Sequence, residues 1–283
     1  MSTGDTTAKR QHPVGVLDSG VGGLSILAAL RDELPHEHFL YVADQAHLPY
    51  GPRPLDEIRT FVTAITRFLL EHDAKLIVVA CNAASAAGLF HLRESFPGVP
   101  FVGMEPAVKP AAQATRSGVI AVLTTAATAD GPLYARVVQR HAANVQVETI
   151  VCPELVTAIE ANQTDLAALR PLLASVLDPA LERGADQIVL GCTHFPFVAA
   201  AIGAYAGPDV AVIDPSAAVA RQTHRLLAQH ALLAGDNAIS STPAYYTTGD
   251  SERFAALVEN LVGGAGDVTP LHWQKGNPRT GPA

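Results

Sequence analysis

The chain has 283 residues, enough for two cores of ordinary size, and its composition of 48% apolar and 16% charged residues excludes disordered and fibrous classes. A formal net charge of −8 disfavours the broad basic surface that gathers nucleic-acid phosphates, and no apolar stretch approaches the roughly 20 residues of a membrane span. The three cysteines, Cys81, Cys152 and Cys192, each lie in an apolar strand-like run, which argues against a disulfide framework and for a reducing, cytoplasmic setting.

Residues 1–13 are polar, lack the apolar core of a signal peptide and read as a loose leader. Strand-like and helix-like segments then alternate, which predicts a mainly parallel α/β architecture. Residues 14–17 form the first strand, followed by the turn Asp18-Ser19-Gly20-Val21-Gly22-Gly23 and a helical spacing at Leu24, Leu27, Ala28, Arg31 and Leu34 that Pro35 stops. A second strand at 39–42 leads into the loop 44–54, with Pro49-Tyr50-Gly51-Pro52-Arg53 on the expected ligand side. Ile58, Phe61, Ile65, Phe68 and Leu69 mark a helix. The apolar run ending in Ala80-Cys81-Asn82 comes next.

The same order returns. Residues 118–123 lead into Thr124 and Thr125, residues 145–151 into Cys152 and Pro153, and a leucine-rich helical pattern at 166–177 into the run ending in Gly191-Cys192-Thr193. The two first turns, at 18 and 124, are 106 residues apart, and the cysteines at 81 and 192 are 111 apart. Duplication of a βαβαβ unit accounts for both spacings. Ligands bind at strand ends in such sheets, so two facing units predict one cleft with a thiol on either side. Residues 210–213 read as a further strand and 216–233 as a helix, and the Gly- and Pro-rich residues 276–283 read as a disordered tail.

Small residues after Cys81 predict a helix start, whose free amides and dipole would favour an anion and lower the thiol from its reference pKa of about 8.5. Considered alone, Cys81 is equally well a small core residue. His194, two residues after Cys192, suits a thiol partner, and the same pair fits a cysteine hydrolase, although that role leaves Cys81 idle. Cys152 has no counterpart and reads as structural, and the three cysteines lack the spacing of a metal site. Gly20-Val21-Gly22-Gly23-Leu24-Ser25 approaches a dinucleotide fingerprint, with Asp44 where a ribose-binding acid would stand. Against that, Asp18 would meet the pyrophosphate with the wrong charge. Asp18 and Ser19 suit a substrate ammonium, the cysteine site or a helix cap, and Tyr50 and Gly51 offer backbone groups to a carboxylate or make a plain turn. Thr125 and Thr128 either bind a carboxylate or cap a helix, and Glu160, on a helix after Cys152, is by default a solvated carboxylate.

Taken in order, Asp18-Ser19-Gly20-Val21-Gly22-Gly23, Pro49-Tyr50-Gly51, Ala80-Cys81-Asn82 and Gly191-Cys192-Thr193-His194 resemble the glutamate racemases of the aspartate/glutamate racemase family, from about residue 14 to beyond 213. The resemblance implies two similar, mainly parallel α/β domains related by pseudo-twofold symmetry, residues 1–105 with 215–283 and residues 106–214, with the active site at their interface. It implies a cofactor-independent enzyme that interconverts L- and D-glutamate and supplies D-glutamate for peptidoglycan. Cys81 would act on the D-enantiomer and Cys192 on the L-enantiomer. Asp18, Ser19, Tyr50, Gly51, Asn82, Ala83, Thr125, Thr128, Glu160, Thr193 and His194 would form the substrate site, with Asp18, Glu160 and His194 as auxiliary ionisable groups. Ala83 stands where the family usually has threonine. An aspartate racemase is the nearest rival within this chemistry, and a homodimer is left open.

Overall fold

The computed structural model describes residues 9–235, 242–264 and 266–281. In chain order the strands are β1 (Val14–Asp18), β2 (Phe39–Ala43), β3 (Leu76–Val79), β4 (Phe101–Val102), β5 (Val119–Thr124), β6 (Gln146–Val151), β7 (Gln187–Leu190), β8 (Ala211–Ile213), β9 (Ala244–Thr247), β10 (Val268–Gln274) and β11 (Asn277–Thr280). The helices are α1 (Leu24–Glu33), α2 (Leu55–Glu71), α3 (Asn82–Ser95), α4 (Val108–Ala114), α5 (Ala126–Ala129), α6 (Pro132–His141), α7 (Pro153–Glu160), α8 (Leu166–Glu182), α9 (Ala199–Ala206), α10 (Ser216–Gln229) and α11 (Ser251–Val262). No helix among the described residues is long and apolar enough to cross a membrane.

Two sheets result, ordered β11-β10-β9-β2-β1-β3-β4 and β6-β5-β7-β8. The internal duplication read from the sequence is visible as topology. In both sheets the first strand of the repeat lies between the second and third, with the fourth outside. Every pairing is parallel except β10 with β11. Parallel strands need crossovers that cover both faces, so the central strands must be apolar throughout. All residues of β1, β3, β5 and β7 are buried accordingly.

α2 shows how the helices follow the sequence. Asp56 and Glu57 occupy its first turn, where the positive end of the dipole favours them, and Ile58, Val62, Ile65 and Leu69 form its buried stripe. One contiguous apolar cluster joins the two sheets, with Val16, Leu24 and Tyr41 from one side and Leu155, Leu173 and Ile188 from the other. Helix α10, which follows the second sheet, packs on α1 of the first.

Two terminal expectations are corrected. Residues 1–8 of the expected leader lie outside the described residues, but residues 9–13 are anchored: the Pro13 carbonyl accepts from the Lys75 amide and the Arg10 carbonyl from Lys75 Nζ. The expected disordered tail is ordered over 276–281, while 282–283 lie outside the described residues. β11 pairs with β10 through the two-residue turn Lys275-Gly276, both with positive φ, the geometry of a type I′ hairpin. The helix expected over 216–233 ends at Gln229.

Candidate active site

Parallel strands deliver their carboxyl ends to one edge of each sheet, and here those edges face each other across a cleft. β1 ends in Asp18 and Ser19, β3 leads to Cys81, β5 to Thr125 and β7 to Cys192. Ser19, Tyr50, Gly51, Cys81, Asn82, Ala83, Thr125, Cys192, Thr193 and His194 line the cleft. Three expected site residues stand behind that wall. Asp18 lies under Ser19, Glu160 behind His194, and Thr128 contacts Thr125 hydroxyl to hydroxyl at 3.2 Å. Both cysteine sulfurs therefore face one cavity.

Cys81 caps α3: its backbone is still extended where the helix begins, and its Sγ accepts from the Ala84 amide at 3.5 Å. The sequence predicted a thiol lowered by this helix start, and the structure reverses the sign. Burial pushes the Cys81 thiol well above its ordinary value and the Asp18 carboxyl adds to the rise, outweighing help from the Ala84 amide and from Ser19 Oγ at 4.0 Å. A protonated thiol is the resting state of this wall.

The opposite wall is built differently. His194 Nδ1 is 3.7 Å from Cys192 Sγ, and its Nε2 is 2.8 Å from Glu160 Oε1, which also accepts from the Val21 amide at 3.0 Å. Burial opposes charge on the His194 ring, yet its bonds to Cys192 and Glu160 hold its pKa well above the usual value. Burial likewise pushes the Glu160 carboxyl up, but His194, the Val21 amide and Arg253 bring it below the ordinary range. An imidazolium thus stands beside Cys192, ready to stabilise negative charge on its sulfur. The default reading of Glu160 as a solvated carboxylate is corrected, since the residue is 9% exposed and ends α7 pointing inward.

Asp18 joins the two halves. Its Oδ1 accepts from Ser19 Oγ and the Gly20 amide, both at 3.0 Å, and its Oδ2 from Thr193 Oγ1 at 3.1 Å. Burial raises its pKa against those donors and the nearby His194. Ser25 Oγ reaches the Thr193 carbonyl at 2.9 Å, and the Ala127 amide reaches the Gly51 carbonyl at 2.8 Å. Hydrogen bonds therefore hold the cleft closed on both sides.

The glycine turn serves this closure. A Cβ on Gly22 would lie 2.5 Å from His194 Nδ1 and 2.6 Å from Thr193 Oγ1. The amides a pyrophosphate would need are already taken, Gly20 by Asp18 and Val21 by Glu160. Asp44, the proposed ribose acid, accepts from Tyr50, Thr248 and Trp273. The dinucleotide reading loses both of these donors to carboxylates.

Gly191 is required for a different reason. A Cβ there would sit 2.7 Å from the backbone carbonyl of Leu123, which cannot swing aside. Gly191→Ala is expected to lower stability by about 1–3 kcal/mol and, by displacing the adjacent Cys192, to lower turnover about 100-fold. Thermal unfolding and steady-state kinetics of the purified variant check both effects.

Pro49 and Pro52 line the wall on the ligand side expected for their loop, whereas sequence reasoning missed the rest of its apolar part, Leu48 from that loop and Pro153 and Val156 from α7. The spacing of Pro153 and Val156 puts them on one helical face, a signal that was present but also fits plain core. Cys152 is fully buried in the core, as its structural reading expected, and burial pushes its thiol up to about 11. Asn82 is only 2% exposed, yet neither its Nδ2 nor its Oδ1 has a hydrogen-bond partner. A buried, unpaired amide on a cavity wall is a vacancy for a polar ligand.

Residues 24–223 match the family model for Asp/Glu/hydantoin racemases. A glutamate racemase of Ectopseudomonas mendocina is 48% identical over 253 residues, covering 89% of this chain and 95% of that protein. Among solved structures, a glutamate racemase isoform of Bacillus anthracis superposes with a TM-score of 0.85 at 30% identity, covering 95% of this chain and 99% of that one. The glutamate racemase of Francisella tularensis, solved with D-glutamate, gives 0.78 at 27% identity, with 89% and 94% covered. Agreement of this extent in both sequence and backbone leaves one assignment: the chain belongs to the Asp/Glu/hydantoin racemase family and is an isomerase that racemises an amino acid.

Proposed function

We propose that the enzyme interconverts L- and D-glutamate without a cofactor, with Cys81 and Cys192 as acid/base groups on opposite faces of the α-carbon. The observation that carries this reading is the placement of both sulfurs on one closed cleft. Removing the α-proton builds negative charge next to a carboxylate, which fixed donors in a water-poor site stabilise. Asn82 and Thr125 supply side-chain donors, Ser19 and Thr193, whose hydroxyl hydrogens go to Asp18, offer acceptor oxygens to the substrate ammonium, and the Ala83 amide remains where the family hydroxyl is missing. Among the described residues no lysine or arginine lines the cleft, so an acidic substrate would be held by hydroxyls and amides, with His194 as the nearby cation.

The two walls give the cycle a starting point. Burial and Asp18 favour the protonated Cys81 and His194 stands beside Cys192, so a turnover that takes the α-proton at Cys192 has one ready to return from Cys81. After turnover the charge has changed sides, and the opposite enantiomer is consumed. The Francisella tularensis relative holds D-glutamate, which supports glutamate as the substrate. The same reading divides the chain into residues 1–105 with 215–283 and residues 106–214, and assigns the product to peptidoglycan synthesis in the cytoplasm.

Incubation with L-glutamate in deuterium oxide tests the reaction. Loss of optical rotation with deuterium entering the α-carbon is the expected result, and thiol-dependent hydrolysis without exchange would replace this reading with that of a cysteine hydrolase. Asn82 provides a second test. Asn82→Ala removes a buried amide that has no hydrogen-bond partner within the protein, so stability should hold or rise by about 1–3 kcal/mol, while KM for glutamate rises about tenfold or more. A variant both less stable and unchanged in KM would assign Asn82 to folding alone.

A further inference from the structure

Asp44 has no part in the chemistry above, yet it is fully buried and hydrogen-bonded to four side chains. Its two oxygens face different parts of the chain. Oδ1 accepts from Trp273 Nε1 and Thr248 Oγ1, both at 2.8 Å, from β10 and the end of β9. Oδ2 accepts from Tyr50 Oη at 2.7 Å, with His47 Nδ1 at 2.9 Å, both in the loop that lines the cleft. That loop continues through Gly51, whose carbonyl takes the Ala127 amide of the second sheet's α5.

The strands β9, β10 and β11 have no counterpart in the second repeat. From this arrangement the geometry points to Asp44 as a positioning residue: it couples the C-terminal strands to the Tyr50-Gly51 loop, and so sets how tightly the loop holds the substrate carboxylate. The inference rests on the racemase reading of the cleft. A carboxylate suits the task because it has two acceptor oxygens and no donor, so it serves both groups at once in a site without water. The surrounding rings keep it there. His47 stacks on Phe61 at 3.8 Å between centroids, and Trp273 meets His47 edge-on at 4.8 Å.

The test uses three variants of the full chain, Asp44→Asn, Trp273→Phe and the double substitution, with circular dichroism to fix a temperature at which each is folded. Asp44→Asn keeps the shape but turns one acceptor into a donor. Trp273→Phe keeps an aromatic ring and deletes a single N–H far from the substrate. KM for glutamate is expected to rise about tenfold or more in Asp44→Asn and about three- to tenfold in Trp273→Phe, with kcat changed much less. The double variant should be no worse than Asp44→Asn alone, because both act through one carboxylate. Wild-type KM in the folded Trp273→Phe protein, or fully additive losses in the double variant, would overturn the coupling even if Asp44→Asn fails to fold. Wild-type enzyme without glutamate exchange would instead overturn the racemase reading.

Discussion

Cys81→Ser and Cys192→Ser should each abolish measurable racemisation in both directions, with turnover falling about 100- to 10,000-fold, the usual worth of one positioned acid or base. Serine matches cysteine in shape, and both sites are nearly closed, at 5% and 8% exposure, so the folded structure should survive. What is lost is the ability to hold a proton that can leave at neutral pH, since a hydroxyl gives up its proton far less readily than a thiol. One missing sulfur stops both directions, because the proton removed on one face must be matched by one delivered on the other. The two variants should still differ. With Cys192 replaced, the surviving sulfur is the one that burial and Asp18 hold as a thiol, and His194 loses the partner that raises its pKa. With Cys81 replaced, the imidazolium and Cys192 remain paired, and one-sided α-proton exchange with L-glutamate in deuterium oxide should persist at a reduced rate. Proton NMR of each variant with each enantiomer reads this directly. Full inversion in either variant would remove that cysteine from the mechanism.

Where the sequence was informative, it was so because of periodicity. The repeated apolar runs before Cys81 and Cys192 are central strands buried on both faces, and that constraint writes itself as uninterrupted Ile, Val and Leu. The matched spacing then placed both thiols at equivalent strand ends, which the common order β2-β1-β3-β4 and β6-β5-β7-β8 displays. Charge was less legible. The helix start at Cys81 is real and the family motif puts Asp18 near the thiols, but the sequence does not give the depth of burial that, with Asp18 adding to it, decides the direction of the thiol's shift. Glu160 shows the same limit: a helical pattern gives the face of a residue, not the His194 that waits opposite. At the C-terminus Gly and Pro read as disorder, whereas the structure uses them to build a hairpin. Gly276 supplies a positive φ at the turn, and Pro278 sits opposite Trp273 in an edge strand, where a missing N–H costs nothing.

The largest effect on stability is expected at the opposite end of β3 from Cys81. Lys75 Nζ lies 2.5 Å from Glu37 Oε2 with the two side chains only 1% and 2% exposed, and it also donates to the Arg10 carbonyl at 2.6 Å. Glu37 Oε1 accepts from the Ala234 amide at 2.8 Å, so the pair fastens the N-terminal segment, the start of β3 and the chain after α10 to one point. Burial pulls the lysine ammonium below its ordinary pKa, while Glu37 holds it charged. Lys75→Met leaves that carboxylate buried without a counter-charge. Breaking a buried pair in this way costs about 3–5 kcal/mol, which for a protein of this size lowers Tm on the order of 10 °C. The double substitution Lys75→Met with Glu37→Leu removes both charges and should recover most of the loss, because the penalty lies in the orphaned charge and not in the missing attraction. Calorimetry of the two variants checks this, and a double variant as unstable as the single one would assign the loss to packing. Since the pair sits at the foot of the strand and the sulfur at its head, kcat of the folded Lys75→Met protein should stay within about twofold of wild type, as effects at distant sites are nearly independent.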